Sequence, residues 1–377
     1  MSKKENSKLI MLEHSKAKVE LFARYLSIYL NVISRVPFIN KIYLYDLFAG
    51  EGKYLNNEKG SPIVAIDSIK NHYYSNNKTC PEIDVWFNDD RKSKIEKDIY
   101  KIERVERFAK EIFKPENVSL KFTKEEYSDL IKEVIRNLDK LKNSERALLF
   151  IDPWGYKEIK PNELRDVIRN GKTEVILFLP ISFMYRFAGK AMSDEDFAGG
   201  QALEKFLTEL FGDKMPETTN QVKFIQEVKQ QFKSFLGTKY VDTFTIERGK
   251  NNFFCLFFFT SNKTGYYKML GAKWDLDDES GRGFKIVNPS QTLMFDEITA
   301  VDYSNVLKDF LKSQSIITNQ DLFDFGIENG FLPTHTKKVL DELKVNNLIE
   351  IVSLDGENAR SYYIDDNHKR KVQIKLK

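Results

Sequence analysis

The chain has 377 residues, in which 59 Lys and Arg stand against 56 Asp and Glu, giving a formal net charge of +3 at pH 7. This near-balance excludes a chain that binds nucleic acid through bulk positive charge, and it also excludes an acidic tail. Hydrophobic residues make up 41% of the chain and its two Cys and four His lie far apart, so we expect a folded protein without disulfides, zinc or any other metal.

The first half of the chain alternates helical and extended patterns. Apolar residues at helical spacing predict helices over 13–35, 63–69, 91–113 and 127–141. Short apolar runs between them predict strands at 42–48, 83–87, 118–122, 147–151 and 175–180. Strands that alternate with helices indicate parallel βαβ units, so we expect an open α/β sheet that helices cover.

The second half changes its pattern twice. Residues 181–237 have the pattern of a helical insertion, and strands at 240–247 and 253–260 are spaced as a hairpin, which makes the sheet mixed. The order of the elements that follow is typical of a winged helix. Three predicted helices, at 301–311, 320–328 and 334–345, precede two predicted strands, at 348–352 and 361–364. We predict two domains, 1–295 and 296–377, the second ending in a basic tail. No run reaches the ~18 apolar residues of a membrane span, and we expect a cytoplasmic protein.

The first chemical motif follows the first predicted strand and reads Asp46-Leu47-Phe48-Ala49-Gly50-Glu51-Gly52. Two glycines in a turn after a strand let a ligand approach the backbone closely. The spacing does not fit a P-loop, and Leu55 stands where a dinucleotide fingerprint has its third small residue. A plain strand-to-helix turn remains the alternative.

Carboxylates follow the next two strands. Asp89 lies just after the second strand, where a carboxylate can accept hydrogen bonds from both hydroxyls of a ribose. Glu125 and Glu126 follow the third strand and are candidates to reach an adenine edge. The alternatives are a solvated helix N-cap for Asp89 and first-turn helix carboxylates for the two Glu.

The last motif, Asp152-Pro153-Trp154-Gly155, follows the apolar run 147–151. In open α/β sheets the ligand crevice lies at the carboxyl ends of the strands, so this run brings a carboxylate and an aromatic ring to that edge. The ring can stack on a nucleic-acid base and the carboxylate can accept from an exocyclic amine. A strand-end cap with packing aromatics is the alternative.

These motifs resemble those of class I AdoMet-dependent methyltransferases, and more closely those of the three-Cys-motif partner proteins. The resemblance extends over roughly residues 14–365 and is carried by His14-Ser15-Lys16-Ala17-Lys18, Asp46–Gly50, Gly60-Ser61-Pro62, Phe150–Tyr156, Lys268-Met269 and Trp274. It implies a Rossmann-like methyltransferase domain over 1–295 and a winged-helix domain over 296–377. It also implies a partner protein with a three-Cys cluster that resembles a radical-AdoMet enzyme.

The first functional hypothesis is an AdoMet-dependent methyltransferase that acts on a nucleic-acid base, and it assigns roles to single residues. S-adenosyl-L-methionine (AdoMet) would be held by Asp46, Phe48, Gly50, Gly52, Asp89 and Glu126. An exocyclic amine of a nucleic-acid base would be held by Asp152 and Pro153 and lined by Trp154. A catalytically inactive adaptor, which binds AdoMet or nucleic acid and recruits the partner, is the alternative function.

Two positions depart from the related motifs. Glu51 stands where the family commonly has Pro. Asp152-Pro153-Trp154-Gly155 differs from the Asp-Pro-Pro-Tyr of enzymes that methylate adenine or cytosine amines, and is similar to the Asp-Pro-Phe-Gly of tRNA guanine-N2 dimethyltransferases. The second departure makes N6-adenine chemistry a poor expectation.

The predicted winged helix carries its own candidate contacts. His335, Lys337 and Lys338 open its third helix, which in winged helices presents residues to a groove of nucleic acid. Residues 301–366 nevertheless contain 6 Lys and Arg against 12 Asp and Glu. A net charge of −6 suits phosphate binding poorly, so contact with a protein partner is the favoured expectation for this surface.

Overall fold

The structure is a computed structural model, and it describes residues 9–76, 80–112, 115–193, 200–212, 214–216, 220–247, 253–277, 283–285, 300–314, 317–353, 362–365 and 372–377. The chain divides into two compact units, one of Met1–Ala272 with Arg282–Thr292 and one of Lys273–Gly281 with Leu293–Lys377. The predicted boundary at residue 295 lies outside the described residues and stays a prediction. Among the described residues, no helix has the length and apolarity that a membrane crossing requires.

The first unit is built on one eight-stranded sheet. Its strands are β1 (Lys41–Asp46), β2 (Glu82–Asn88), β3 (Val118–Thr123), β4 (Glu145–Ile151), β5 (Thr173–Leu179), β6 (Tyr240–Glu247), β7 (Phe253–Thr260) and β8 (Gly283–Lys285). They lie in the order β3-β2-β1-β4-β5-β7-β6-β8. Strands β1 to β5 are parallel, and β7 runs antiparallel to both β5 and β6. The predicted Rossmann-like methyltransferase fold with an antiparallel hairpin is therefore confirmed.

Helices cover both faces of this sheet. They are α1 (Glu13–Ile33), α2 (Ser61–Ser75), α3 (Lys101–Glu111), α4 (Tyr127–Asp139), α5 (Pro161–Ile168), α6 (Ile181–Ser193), α7 (Gly200–Phe211), α8 (Gln221–Leu236) and α9 (Lys263–Trp274). Side chains of β4 alternate between the two layers: Leu149 joins a core that includes Leu130 of α4 and Leu164 of α5, whereas Phe150 stacks on Phe22 of α1 at 4.4 Å. Burial on both faces explains why the inner strands β4 and β5 are nearly continuous apolar runs.

The predicted helix over 91–113 is wrong in its first part, because α3 begins only at Lys101. Residues 91–100 form a loop that a carboxylate from the glycine turn organises: Glu51 accepts hydrogen bonds from Ser93 Oγ and from the backbone N–H of Lys94. The helical charge pattern of this segment is thus overridden by contacts with residues some 40 positions earlier in the chain.

The second unit contains a winged helix. Its elements are α10 (Ala300–Ser313), β9 (Ile317–Thr318), α11 (Asn319–Glu328), α12 (Pro333–Val345), β10 (Ile349–Ser353) and β11 (Val372–Leu376), and its small sheet has the order β10-β11-β9. Thr318 caps α11, and its side chain accepts from the N–H of Asp321. The predicted C-terminal winged helix is confirmed.

The predicted second wing strand at 361–364 is wrong, because β10 pairs with Val372–Leu376. The described residues 362–365 have no strand structure. Side chains of the helices hold this segment: Tyr362 Oη donates to Asp341 of α12, and Asn319 Nδ2 donates to the carbonyl of Tyr363. An apolar run of matching length is therefore used for packing and not for the sheet.

A buried carboxyl group lies at the amino end of β5, at the sheet edge opposite the glycine turn. Glu174 accepts hydrogen bonds from Tyr25 Oη of α1 and from Thr260 Oγ1 at the end of β7. Burial raises the pKa of Glu174 to about 7, and the two hydrogen bonds lower it only in part. A Cβ at Gly265 would lie 2.1 Å from Glu174 Oε1, so α9 can approach this carboxyl group only through a glycine.

We expect the Glu174→Gln variant to flatten the pH dependence of folding. The folded pKa of about 7 exceeds the ordinary value of 4.5, so native Glu174 retains a proton that the unfolded chain releases, and the free energy of unfolding falls as pH rises from 4.5 to 7. This loss is on the order of 3 kcal/mol. Urea unfolding at pH 5, 6, 7 and 8 measures it, and other titrating groups cancel between the two proteins. A constant difference in unfolding free energy across this range would contradict the assignment.

Candidate functional site

The carboxyl ends of three neighbouring strands gather three aspartates. In the ladders β1–β2 and β1–β4, Asp46 pairs with Phe87 and with Phe150. Asp89 and Asp152 each lie two residues beyond these partners. The three carboxylates therefore meet at the same edge of the sheet, as the sequence predicts from its strand ends.

The turn after β1 needs its two glycines. Gly50 and Gly52 have φ values of 69° and 73°, which L-residues rarely adopt. A Cβ at Gly52 would lie 3.0 Å from Val105 Cγ2 of α3, whereas a Cβ at Gly50 would meet only Tyr54 Oη at 3.8 Å. The backbone is thus open beside Gly50 and closed by packing beside Gly52. Phe48 lies in the same turn, buried, and stacks on Tyr127 at 5.1 Å.

Asp46 is the last residue of β1, directly before this turn, and is fully buried. Ser61 Oγ donates to its Oδ2 at 2.7 Å, while Oδ1 is buried without a hydrogen-bond partner. Burial raises the pKa of Asp46 to about 7; the hydrogen bond from Ser61 opposes this shift, and the carboxylate of Asp152 contributes to it. An unsatisfied buried acceptor is unfavourable, so Oδ1 is a natural position for a donor of a bound ligand.

Asp89 is buried and makes more contacts within the protein than the sequence indicated. Its Oδ2 accepts from the N–H of Gly50 at 3.0 Å, and both of its oxygens accept from the Arg91 guanidinium. The N–H of Arg91 adds a further bond to Oδ1, and Lys101 Nζ lies 3.6 Å from Oδ2. The carboxylate therefore fixes the glycine turn, and a ribose reaches it only if Arg91 moves away. Asp90, the next residue, is exposed.

Glu126 lies at the same edge, beyond β3. It is exposed, and it occupies the N-cap position of α4 without a capping hydrogen bond from its side chain. The preceding residue is fixed by the end of β2: Asn88 Oδ1 accepts from the N–H of Glu125, and Asn88 Nδ2 donates to its carbonyl. The edge thus offers an exposed carboxylate on a fixed backbone.

Asp152 forms an ion pair that sequence reasoning missed. Lys18 of α1 donates to Asp152 Oδ2, with the lysine side chain 10% and the aspartate side chain 23% exposed. The ammonium group also lies 4.4 Å from the centre of the Phe178 ring. Lys18 belongs to the motif at 14–18 that carries part of the family resemblance, and this motif was the available signal. The ion pair fixes Asp152 Oδ2 and leaves Oδ1 for a ligand.

Trp154 is exposed, and three cations surround its ring. The side chain is 57% exposed, with the Arg91 guanidinium 4.6 Å and the ammonium groups of Lys94 and Lys101 each 5.1 Å from the ring centre. Burial lowers the pKa of Lys101, against the raising effect of Asp89. Pro153, the residue before Trp154, is buried. The sequence predicts the tryptophan as a stacking surface but not these cations; for Arg91 and Lys94 the reason is that their segment is predicted as a helix and is a loop.

Glu51, the residue that departs from the family motif, joins this loop to α3. It forms a buried ion pair with Arg104 at 2.7 Å, with the two side chains 5% and 6% exposed. Arg104 also donates to the carbonyls of Glu51 and Lys53. Together with the bonds to Ser93 and Lys94, this pair shapes the turn and the cationic loop as one unit.

A cleft of about 340 Å³ lies at the carboxyl ends of β4 and β5. It is lined by Trp154, Gly155, Tyr156, Lys157, Glu158, Pro180, Phe183 and Ala202. Tyr156 forms a buried wall, and its hydroxyl donates to the carbonyl of Pro180 at 3.1 Å. The cleft therefore starts at the exposed tryptophan and continues along the loop after β4.

In the second unit, the three predicted contact residues have different surroundings. Lys337 and Lys338 are exposed on α12, and Lys337 forms an ion pair with Asp341. His335 is half-buried: its Nδ1 accepts from the N–H of Leu332, and its ring lies 4.1 Å from that of Trp274. Burial lowers the pKa of His335. The two lysines thus share an exposed helix face, whereas the histidine packs in the interior of its unit.

The comparisons with known proteins concern the fold. A family model described as the GMT-like wHTH domain matches residues 287–356. The chain resembles a Legionella pneumophila protein of the DUF519 family model, with 12% identity and a TM-score of 0.40 over 66% of this chain and 85% of that one. It also resembles loganic acid methyltransferase solved with SAH, with 11% identity and a TM-score of 0.28 over 61% and 74% of the two chains. A search of curated proteins finds no match.

Proposed function

We propose that the chain is a cytoplasmic AdoMet-dependent methyltransferase that acts on an exocyclic amine of a nucleic-acid base. The observation that carries the proposal is the juxtaposition across β1 and β4: the open glycine turn and the Asp152-Pro153-Trp154 loop leave neighbouring strands at one edge. A turn that admits a ligand and a carboxylate that can accept from an amine are the two parts that this reaction requires.

The residues of the turn fit the cofactor. The space beside Gly50 is open, and Asp46 Oδ1 is an acceptor without a donor. Gly50, Gly52 and Asp46 would hold AdoMet, with Phe48 and Glu126 at the flanks and with Asp89 available once Arg91 leaves it. When bound, AdoMet supplies an electrophilic methyl group.

The chain's own residues bind the nucleic acid and orient the amine for transfer. Asp152 Oδ1 accepts a hydrogen bond from the amine, which orients the nitrogen lone pair and stabilises the positive charge that develops on it. Lys18 fixes the orientation of Asp152 through Oδ2. Trp154 offers its exposed ring to the base, and the cations around it offer charge to the phosphates.

Replacing Gly50 by Ala is expected to weaken AdoMet binding at least about tenfold, because the added methyl group occupies space that the ligand needs. Gly171→Ala is the matched control: its φ of 66° is close to the 69° of Gly50, and nothing lies within 4 Å of its Cβ. Both variants carry a similar backbone penalty of about 1–2 kcal/mol. Calorimetric titration with AdoMet measures the difference, and equal affinities for both variants would contradict the cofactor site.

The second candidate function is an adaptor that binds AdoMet or nucleic acid without transferring a methyl group. The occupation of Asp89 by Arg91 favours it, since a ribose meets competition there. Crosslinking of labelled AdoMet, followed by a search for label in added DNA and RNA, separates the two. Binding without transfer assigns the adaptor, and transfer assigns the enzyme.

The proposed partner is a protein with a three-Cys cluster, which the sequence resemblance implies. The exposed face of α12, with Lys337 and Lys338, is the surface that we propose for contact with this partner or with nucleic acid. Co-purification of the two proteins with and without the Lys337→Glu and Lys338→Glu substitutions tests this assignment.

A further inference from the structure

The cleft beside Trp154 has the size and lining of a site for one planar ring. Its volume of about 340 Å³ is at the small end of the range for ligand pockets. Aromatic side chains, Trp154, Tyr156 and Phe183, contribute much of its wall. Such walls bind the faces of a base without distinguishing one base from another.

Glu158 gives this cleft a chemical preference. It lines the cleft, and its Oε2 is shielded from water without any hydrogen-bond partner. A buried acceptor that lacks a donor is unfavourable and is an exception among native proteins. The terminal torsion of a glutamate is broad, so rotation of the carboxylate presents an oxygen to a ligand in the cleft. A ligand with an N–H or O–H donor would supply the missing partner.

We propose that this cleft holds a guanine base, whose ring N1–H donates to Glu158 while its exocyclic amine reaches Asp152. The assignment of the amine to Asp152 rests on the proposed function, whereas the preference of Glu158 for a donor rests on the cleft itself. Both carboxylates belong to the loop that follows β4, six residues apart. Guanine is the base that carries a ring N–H and an amine side by side.

The other bases match this pair of acceptors less well. An ionised carboxylate offers only acceptors. Adenine and cytosine place a ring nitrogen lone pair beside their amine, and this lone pair would face Glu158. Uracil and hypoxanthine have a ring N–H but no amine for Asp152. A mismatch of this kind in one bidentate contact lowers affinity by roughly 10- to 100-fold.

Equilibrium dialysis of the full chain with GMP, AMP, CMP and IMP tests the proposal without methyl transfer. We expect GMP to bind at least about tenfold more tightly than AMP or CMP, with IMP in between. In the Glu158→Gln variant, we expect GMP affinity to fall about tenfold or more and AMP affinity to rise, since the amide offers a donor to the adenine N1 lone pair.

Glu163→Gln is the matched control. Glu163 also has a buried oxygen without a partner, but it lies outside the lining of the cleft, so its variant should bind GMP as the original chain does. Equal affinity for GMP and AMP, or an unchanged preference in Glu158→Gln with a normal melting curve, would overturn the proposal. AdoMet titration of the same preparation separates the two claims: selectivity for GMP without AdoMet binding supports the cleft assignment and rejects the enzyme.

Discussion

The Asp152→Ala variant is expected to lose methyl transfer about 100- to 1000-fold in kcat while it binds AdoMet normally. In the proposed reaction Asp152 Oδ1 accepts from the amine, and removing a preorganised group that stabilises developing charge lowers kcat by about this factor. Single-turnover transfer of labelled methyl groups to RNA or DNA measures the loss, and calorimetric titration measures AdoMet binding.

The Lys18→Met variant distinguishes the role of the Asp152 carboxylate from the role of its ion pair with Lys18. Asp152→Ala and Lys18→Met both break this ion pair, and each leaves one largely buried charge without its partner. Both should therefore lower the free energy of unfolding, by about 1–3 kcal/mol. Only Asp152→Ala removes the acceptor, so Lys18→Met should retain most of the activity. If the two variants lose activity equally, Asp152 acts through the ion pair and not on the amine.

Glu51→Ala is expected to destabilise the first unit by about 3–5 kcal/mol. The substitution leaves the Arg104 guanidinium buried without its anion, and it also removes the acceptor for Ser93 Oγ and for the N–H of Lys94. The loop that brings Arg91 and Lys94 to Trp154 loses its attachment, so binding of nucleic acid should weaken as well. Urea unfolding measures the stability, and fluorescence anisotropy with labelled RNA measures the binding.

Arg107→Met is the control for this prediction. Arg107 lies one turn further along α3 and pairs with Glu96, but the two side chains are 50% and 40% exposed. An exposed pair contributes about 0–1 kcal/mol, so this variant should unfold almost as the original chain does. In a double-mutant cycle, Glu51→Ala and Arg104→Met should be strongly non-additive. Additive effects would show that the buried pair is not the source of the stability.

The sequence predicted the strands of the large sheet well because the pattern of each strand lies in consecutive residues. Buried parallel strands such as β4 and β5 are continuous apolar runs, and the glycines Gly50 and Gly52 mark the turn in which strand β1 ends. The position of Asp152 at the sheet edge followed from the same pattern. Once the strand order is known, the register between Asp46 and Phe150 brings these motifs together.

The sequence did not predict the contacts that join distant parts of the chain. Lys18 and Asp152 are 134 positions apart, and Glu51 and Arg104 are 53 positions apart. The periodicity of apolar residues does not predict such pairs, since each pair depends on how two distant elements pack together. The loop at 91–100 is predicted as a helix for this reason. Its charges have helical spacing, but Glu51, in the turn after β1, accepts hydrogen bonds that hold it as a loop.

The small sheet of the winged helix has a consequence for synthesis on the ribosome. Its central strand is β11, and β9 and β10 each pair with β11 and not with each other. None of the ladders between the described strands of this sheet can form before Val372–Leu376 leaves the exit tunnel. The three helices of this unit therefore emerge first without their wing, whereas the parallel strands of the first unit can pair much earlier in translation.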